Sequence, residues 1–129
     1  MEAVQSGDAG VASNAQQVGV PTYVSDLAPT ILNLIEHGES GVFNVTSSGS
    51  CSRYDFVRVI LECAGINVKV RKVSQSAFQR FASVPLNESS RNFRLTQLGY
   101  QPLPNWRDGL SRYLATMASD VERLRKVQM

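Results

Sequence analysis

The sequence predicts a single α/β domain, a small sheet flanked by helices. Two apolar stripes of helical spacing, at 25–37 and 53–64, alternate with two segments of strand character, at 41–46 and 66–73. A longer helical face closes the chain after residue 105. With 129 residues and 43% hydrophobic content, the chain is long enough for one core and too short for two ordinary ones.

Residues 1–16 are small and polar, without a sustained period, and read as an irregular leader with a short strand near Val11. From Ser25, a plausible N-cap, Leu27, Ile31, Leu34 and Ile35 recur at helical spacing as far as Gly38. Gly41–Thr46 is β-branched and aromatic and is bounded by Gly41 and a Ser/Gly run, which predicts a strand. Ser52 followed by Asp55 forms a capping box for an apolar stripe of Phe56, Val57, Ile60, Leu61 and Ala64 that stops at Gly65. Ile66, Val68 and Val70 then alternate with Asn67, Lys69 and Arg71, the period of a half-exposed strand. Ser74 and Ser90 are expected to cap two short helical turns, the second ending at Gly99. Asn105 and Asp108 repeat the cap pattern before a face of Trp106, Leu110, Tyr113, Met117, Val121 and Leu124. Gly109 should weaken that helix by roughly 1 kcal/mol relative to Ala. Three divisions follow: a leader at 1–16, the main domain at 17–115, and a helical extension at 116–129 running into solvent.

The formal charge is +2, yet residues 1–50 hold five acids and no Lys or Arg. All basic residues lie from Arg53 onward, mixed with six acids, so the pattern reads as a solvated surface rather than a nucleic-acid face. Cys51 and Cys63 belong to no Cys-x-x-Cys or Cys/His cluster, which argues against a metal site, and Cys63 falls on the apolar side of its helix. Without a signal peptide or an apolar run of 18 residues, the expected setting is soluble and cytoplasmic.

Catalytic patterns are missing from the residues. Gly7-Asp8-Ala9-Gly10 has neither the spacing nor the preceding strand of a dinucleotide-binding turn, and Ser48-Gly49-Ser50 is better read as a plain strand–helix connection than as an anion site. None of the four tyrosines has a Lys four residues on. Tyr54 and Arg58 approximate that spacing, but an Arg does not exchange protons. His37, the lone histidine, stands beside a helix-ending Gly, where it suits capping. No residue is assigned a catalytic, cofactor-binding or metal-ligating role.

Three stretches stand in fixed order: Gln16–Ala28, with Gln17, Gly19 and Pro21-Thr22-Tyr23; Gly41–Thr46 with Ser48-Gly49 and the Ser52–Phe56 helix start; and Leu98-Gly99 with Trp106–Leu114. Together they resemble the dTDP-4-dehydrorhamnose reductases, sugar-nucleotide-binding members of the extended short-chain dehydrogenases. The resemblance covers roughly residues 11–115 and implies the C-terminal, substrate-binding part of such an enzyme without its Rossmann cofactor-binding half. In that family the whole protein reduces the 4-keto group of a deoxythymidine-diphosphate sugar with NADPH. The resemblance therefore implies a sugar nucleotide as ligand, a chain that is catalytically incomplete and binds no cofactor alone, and a homo-oligomer or a cofactor-binding partner chain to cover an exposed apolar face. A non-catalytic oligomerisation or regulatory module on the same scaffold is the alternative. Carried over residue by residue, Gln17, Pro21, Thr22 and Tyr23 become the substrate-lining residues, although Gly19 and Pro21 also suit a simple turn.

The sequence departs from the family pattern where an Arg-Pro segment is expected and Val84-Pro85-Leu86-Asn87-Glu88 stands. Val84 replaces the Arg, which removes a charge-assisted hydrogen bond to a diphosphate or sugar oxygen worth about 1.5–3 kcal/mol. Arg91 replaces an acid in the same segment.

Overall fold

A computed structural model describes residues 10–78 and 80–127. Strand β1 (Gly10–Asn14) lies around Val11 and pairs in parallel with a strand nearly sixty residues away, Lys69–Val73, in the register Gly10↔Lys69 to Asn14↔Val73. Strand β2 (Val18–Gly19) pairs antiparallel with β3 (Cys51–Ser52). The helices flank two two-stranded sheets rather than one.

Helix α1 (Val24–Glu36) begins one residue before the expected cap. Tyr23 is the N-cap in extended conformation, and its carbonyl accepts from Asp26 N and Leu27 N, which draws Ser25 into the first turn. At the other end Gly38 adopts φ +67°, so that Glu39 N reaches Leu34 O and Gly38 N reaches Ile35 O. His37 Nδ1 lies 2.7 Å from Asn33 O, in the capping position its neighbour Gly38 implied. Only Leu34 of this helix is buried; Ile31, Leu32 and Ile35 face solvent, so much of the stripe does not serve as a cover for the sheet.

Residues 41–46 are not a paired strand. The Asn92 carboxamide takes the place of a neighbouring strand, accepting from Thr46 N at 2.7 Å and donating to Thr46 O at 2.6 Å, while Ser47 N donates to Thr22 Oγ1. A backbone whose polar groups are satisfied by side chains has no need of a ladder.

Helix α2 (Arg53–Ala64) is built as its capping box dictates: Ser52 Oγ accepts from Asp55 N at 3.0 Å and donates to Asp55 Oδ2 at 2.7 Å, and Gly65 closes the helix in the left-handed conformation. The Ser52 hydroxyl holds the Asp55 carboxyl below its ordinary range. Replacing Ser52 by Ala should cost about 1 kcal/mol in urea unfolding near pH 7. Because the folded state holds the lower value, Asp55 contributes stability above the ordinary carboxylate range, and that contribution is lost as pH falls through the depressed value. The gap between wild type and S52A should therefore narrow on acidification.

The strand β4 (Lys69–Val73) starts three residues later than its alternation indicates, because Val68 N turns back to Ile66 O. A 3₁₀ turn at Gln75–Ala77 follows without a side-chain cap from Ser74, whose hydroxyl is 2.6 Å from Ser76 Oγ. Helix α3 (Phe93–Gln97) starts after Asn92 rather than Ser90 and buries Leu95, and Gly99 beyond it has φ +80°.

Helix α4 (Trp106–Thr116) is capped by Asn105, whose Oδ1 accepts from Arg107 N at 3.0 Å. The expected single C-terminal helix breaks at Met117. Thr116 Oγ1 donates to Tyr113 O, and Met117 O instead receives Asp120 N and Val121 N, opening α5 (Ala118–Val127). The new direction carries Arg125 back to α2, where Nε donates to Ala64 O. The charged extension therefore clasps the negative end of α2 instead of simply continuing into solvent.

The core joins α2 to α4: Val59, Trp106 and Leu110 are buried together, with Phe56, Ile60, Leu114 and Cys51 packed around them. This cluster engages the first two turns of α2. Cys63 lies in the last turn and is exposed, contrary to its expected core position.

Candidate functional site

The geometry of the site follows from how residues 17–19 are held. Arg53 N donates to Gln17 O at 3.0 Å on one side, while Val18 N donates to Leu86 O and Val18 O accepts from Glu88 N on the other. This places the first turn of α2 and the 86–88 segment on either flank of one short strand. The chain then runs through Val20-Pro21-Thr22 to the N-cap of α1. Two shallow clefts open along it.

The first, about 260 Å³, is lined by Pro21, Thr22, Tyr23 and Val24 together with Phe56, Trp106, Leu110 and Tyr113. Its wall is aromatic: Tyr23 meets Tyr113 edge-on at 6.1 Å between ring centroids, and Phe56 meets Trp106 at 5.9 Å. The second, about 360 Å³, is the more polar of the two and is lined by Gly19, Val20, Cys51, Ser52, Arg53 and Glu88. Pro21 and Phe56 border both, so the two form adjoining halves of one groove.

Of the sequence-predicted residues, Pro21, Thr22 and Tyr23 line the groove, whereas Gln17 does not. Gln17 is 1% exposed and sits behind the polar half, its Nε2 donating to Glu88 Oε2 at 2.8 Å. The Thr22 hydroxyl is already engaged, donating to Val20 O and accepting from Ser47 N, so it shapes the loop. Sequence reasoning missed Phe56, Trp106 and Tyr113, which it assigned to helix stripes, and also Arg53 and Glu88. The departure of the 84–88 segment from its family pattern was the available signal for Glu88.

Electrostatics separate the cations near the groove. Arg112 is held by Asp26 Oδ2 at 2.5 Å and Asp108 Oδ2 at 3.1 Å and lies over the Tyr23 ring. Hydrogen bonding to Asp26, with a smaller share from Asp108, raises its pKa further, so it stays charged but is committed to these carboxylates. Arg107 stacks on the Trp106 ring at 4.8 Å. Burial pushes the Cys51 thiol up, with Asp55 adding to the rise, so this residue lines the groove as a neutral thiol and is a poor nucleophile.

The Ser48–Ser50 turn is committed to the chain before α4: Ser48 N and Oγ donate to Pro104 O and Leu103 O, and Ser48 O accepts from Trp106 N. The Ser48 groups are thus taken up within the chain. Gly7-Asp8-Ala9 lies outside the described residues. Lys72 Nζ sits 4.8 Å over the Tyr54 ring, a cation–π contact that gives the Tyr54 ring a structural partner. Among the described residues there is no cluster of three His, Cys, Asp or Glu suited to a metal, and no helix long and apolar enough to cross a membrane.

The family model described as RmlD substrate binding domain matches residues 1–119. The chain belongs to this family. As an RmlD substrate binding domain it is 31% identical over 119 residues to a dTDP-4-dehydrorhamnose reductase of Mycolicibacterium smegmatis, covering 91% of this chain and 36% of that protein. Among solved structures, it is similar to a Bacillus anthracis dTDP-4-dehydrorhamnose reductase in complex with NADP, with TM-score 0.80 and 33% identity over 83% of this chain and 38% of that one. A Clostridium acetobutylicum dTDP-4-dehydrorhamnose reductase gives TM-score 0.82 and 32% identity, covering 85% of this chain and 39% of that one. The RmlD substrate binding domain described here thus spans little more than a third of the length of the proteins it matches.

Proposed function

We propose that this domain holds the sugar nucleotide of a dTDP-4-dehydrorhamnose reductase-like reaction, the NADPH-dependent reduction of a 4-keto sugar, and that the cofactor and the proton donor come from outside the described residues. The observation that carries the reading is the groove itself. Pro21, Thr22 and Tyr23, singled out by the family pattern, line an aromatic half suited to a planar base, and Pro21 continues into a polar half suited to phosphate and hydroxyl groups. Within it the chain can bind and orient: aromatic faces stack, Arg53 and Glu88 offer donors and acceptors, and Gln17 braces Glu88 from behind.

Calorimetric titration of the full chain with deoxythymidine diphosphate, its sugar conjugates and NADPH tests the proposal. Saturable binding of the sugar conjugate, with none of NADPH, is expected. No heat with either nucleotide would overturn it.

A further inference from the structure

Among the described residues, the polar half of the groove has one cation in its lining, Arg53. It stands in the first turn of α2, with its side chain 60% exposed, and its nearest carboxylate, Glu88, is 4.0 Å away. That separation is beyond hydrogen-bond length. Glu88 makes its closer contact elsewhere, at 2.8 Å to Gln17 Nε2. The Arg53 guanidinium is therefore attracted by a carboxylate without being consumed by it, unlike Arg112, which two carboxylates hold within 3.1 Å. Position 84 cannot supply charge: Val84 is half-buried, and its carbonyl receives Gln75 Nε2 at 3.0 Å.

We propose that Arg53 is the residue that binds the phosphates of a nucleoside diphosphate in this groove, and that Glu88 sets the strength of that binding by competing for the guanidinium. The inference rests on the reading that the groove takes a sugar nucleotide. An arriving diphosphate finds the Arg53 donors within reach and partly desolvated by the cleft walls, where a charge-assisted bond is strongest. It also meets the Glu88 carboxylate, whose like charge opposes it. Gln17 keeps that carboxylate in place, which gives the buried Gln17 a role in affinity although it does not line the groove.

The test compares deoxythymidine diphosphate with thymidine on the full chain, by chemical-shift titration, for wild type, R53Q, R53K and E88Q. Gln at position 88 can still accept from Gln17 Nε2, so E88Q removes the charge while keeping the bond. R53Q should weaken the diphosphate about tenfold and flatten its salt dependence, R53K should weaken it less, and E88Q should tighten it several-fold. Thymidine affinity should be unchanged in all three. Equal diphosphate affinity in R53Q and wild type would overturn the inference while leaving the function standing, as would weaker binding in E88Q. Loss of thymidine and diphosphate binding together in both Arg53 variants would mark a structural role and overturn it as well. Failure of the wild type to bind deoxythymidine diphosphate would overturn the inference, and failure to bind its sugar conjugates as well would overturn both readings.

Discussion

Replacing Trp106 by Ala is expected to remove about 3–5 kcal/mol of stability. A domain of this size has only about 5–15 kcal/mol to lose, so the variant should unfold at a much lower urea concentration, or be partly unfolded without urea. The cause is position as much as size. Trp106 is 4% exposed, opens α4, and packs with Val59, Leu110 and Phe56, joining the two helices that make the core. A Cβ on Gly49 would lie 3.3 Å from its ring, so the ring also supports the turn that leads into β3 and α2. Because Trp106 and Phe56 both line the groove, its aromatic half should lose its wall together with the core. Circular dichroism is the suitable probe, since the substitution deletes the chain's single Trp. Trp106→Phe, which keeps an aromatic edge against Phe56, should cost distinctly less. Similar losses for both would mean that the indole's shape, not aromatic packing in general, is what the core requires.

What the sequence makes legible is what neighbouring residues decide. The Ser52–Asp55 box, the Asn105 cap and the Gly38 and Gly65 stops each depend on atoms within a few residues, and the structure places all four as expected. Several of the larger differences occur where a distant side chain intervenes. Residues 41–46 have strand composition, but the Asn92 carboxamide, some fifty positions away, satisfies Thr46. The same engagement accompanies a helix that starts after Asn92 rather than at Ser90. The C-terminal helix bends at Met117 and Arg125 returns to Ala64, a contact across 61 positions that the local apolar stripe does not encode. The groove divides in the same way. Pro21, Thr22 and Tyr23 form one contiguous loop and could be found by family pattern. Phe56, Arg53, Glu88, Trp106 and Tyr113 come from three further segments: the pairing of residues 17–19 with 51–53 and 86–88 brings in the first two, and the packing of α4 on α2 brings in the third.

Gly109 is where local and tertiary reasoning give opposite signs. Helix propensity alone makes Gly109→Ala stabilising by about 1 kcal/mol. In the fold Gly109 is buried, and a Cβ there would stand 2.9 Å from Tyr23 Cβ and 3.7 Å from Asp26 Oδ2. Tyr23 Cβ is bonded directly to the backbone at the N-cap of α1 and cannot swing aside as the tip of a long side chain could. Relief requires the 21–24 loop and α4 to separate, and such overpacking costs about 1–3 kcal/mol. Gly109→Ala is therefore expected to be neutral to destabilising by about 2 kcal/mol, and Gly109→Val, which adds two methyl groups to the clash, to cost about 3 kcal/mol. Urea unfolding of the pair reads the gradation. The separation would also pull Tyr23 from Tyr113 and strain the Asp26–Arg112 pair, so nucleotide affinity should fall in the folded fraction of both variants. An Ala variant stabilised by the full helix-propensity increment would show that the loop yields freely. The close approach of α4 to the start of α1 would then not be what shapes the aromatic half of the groove.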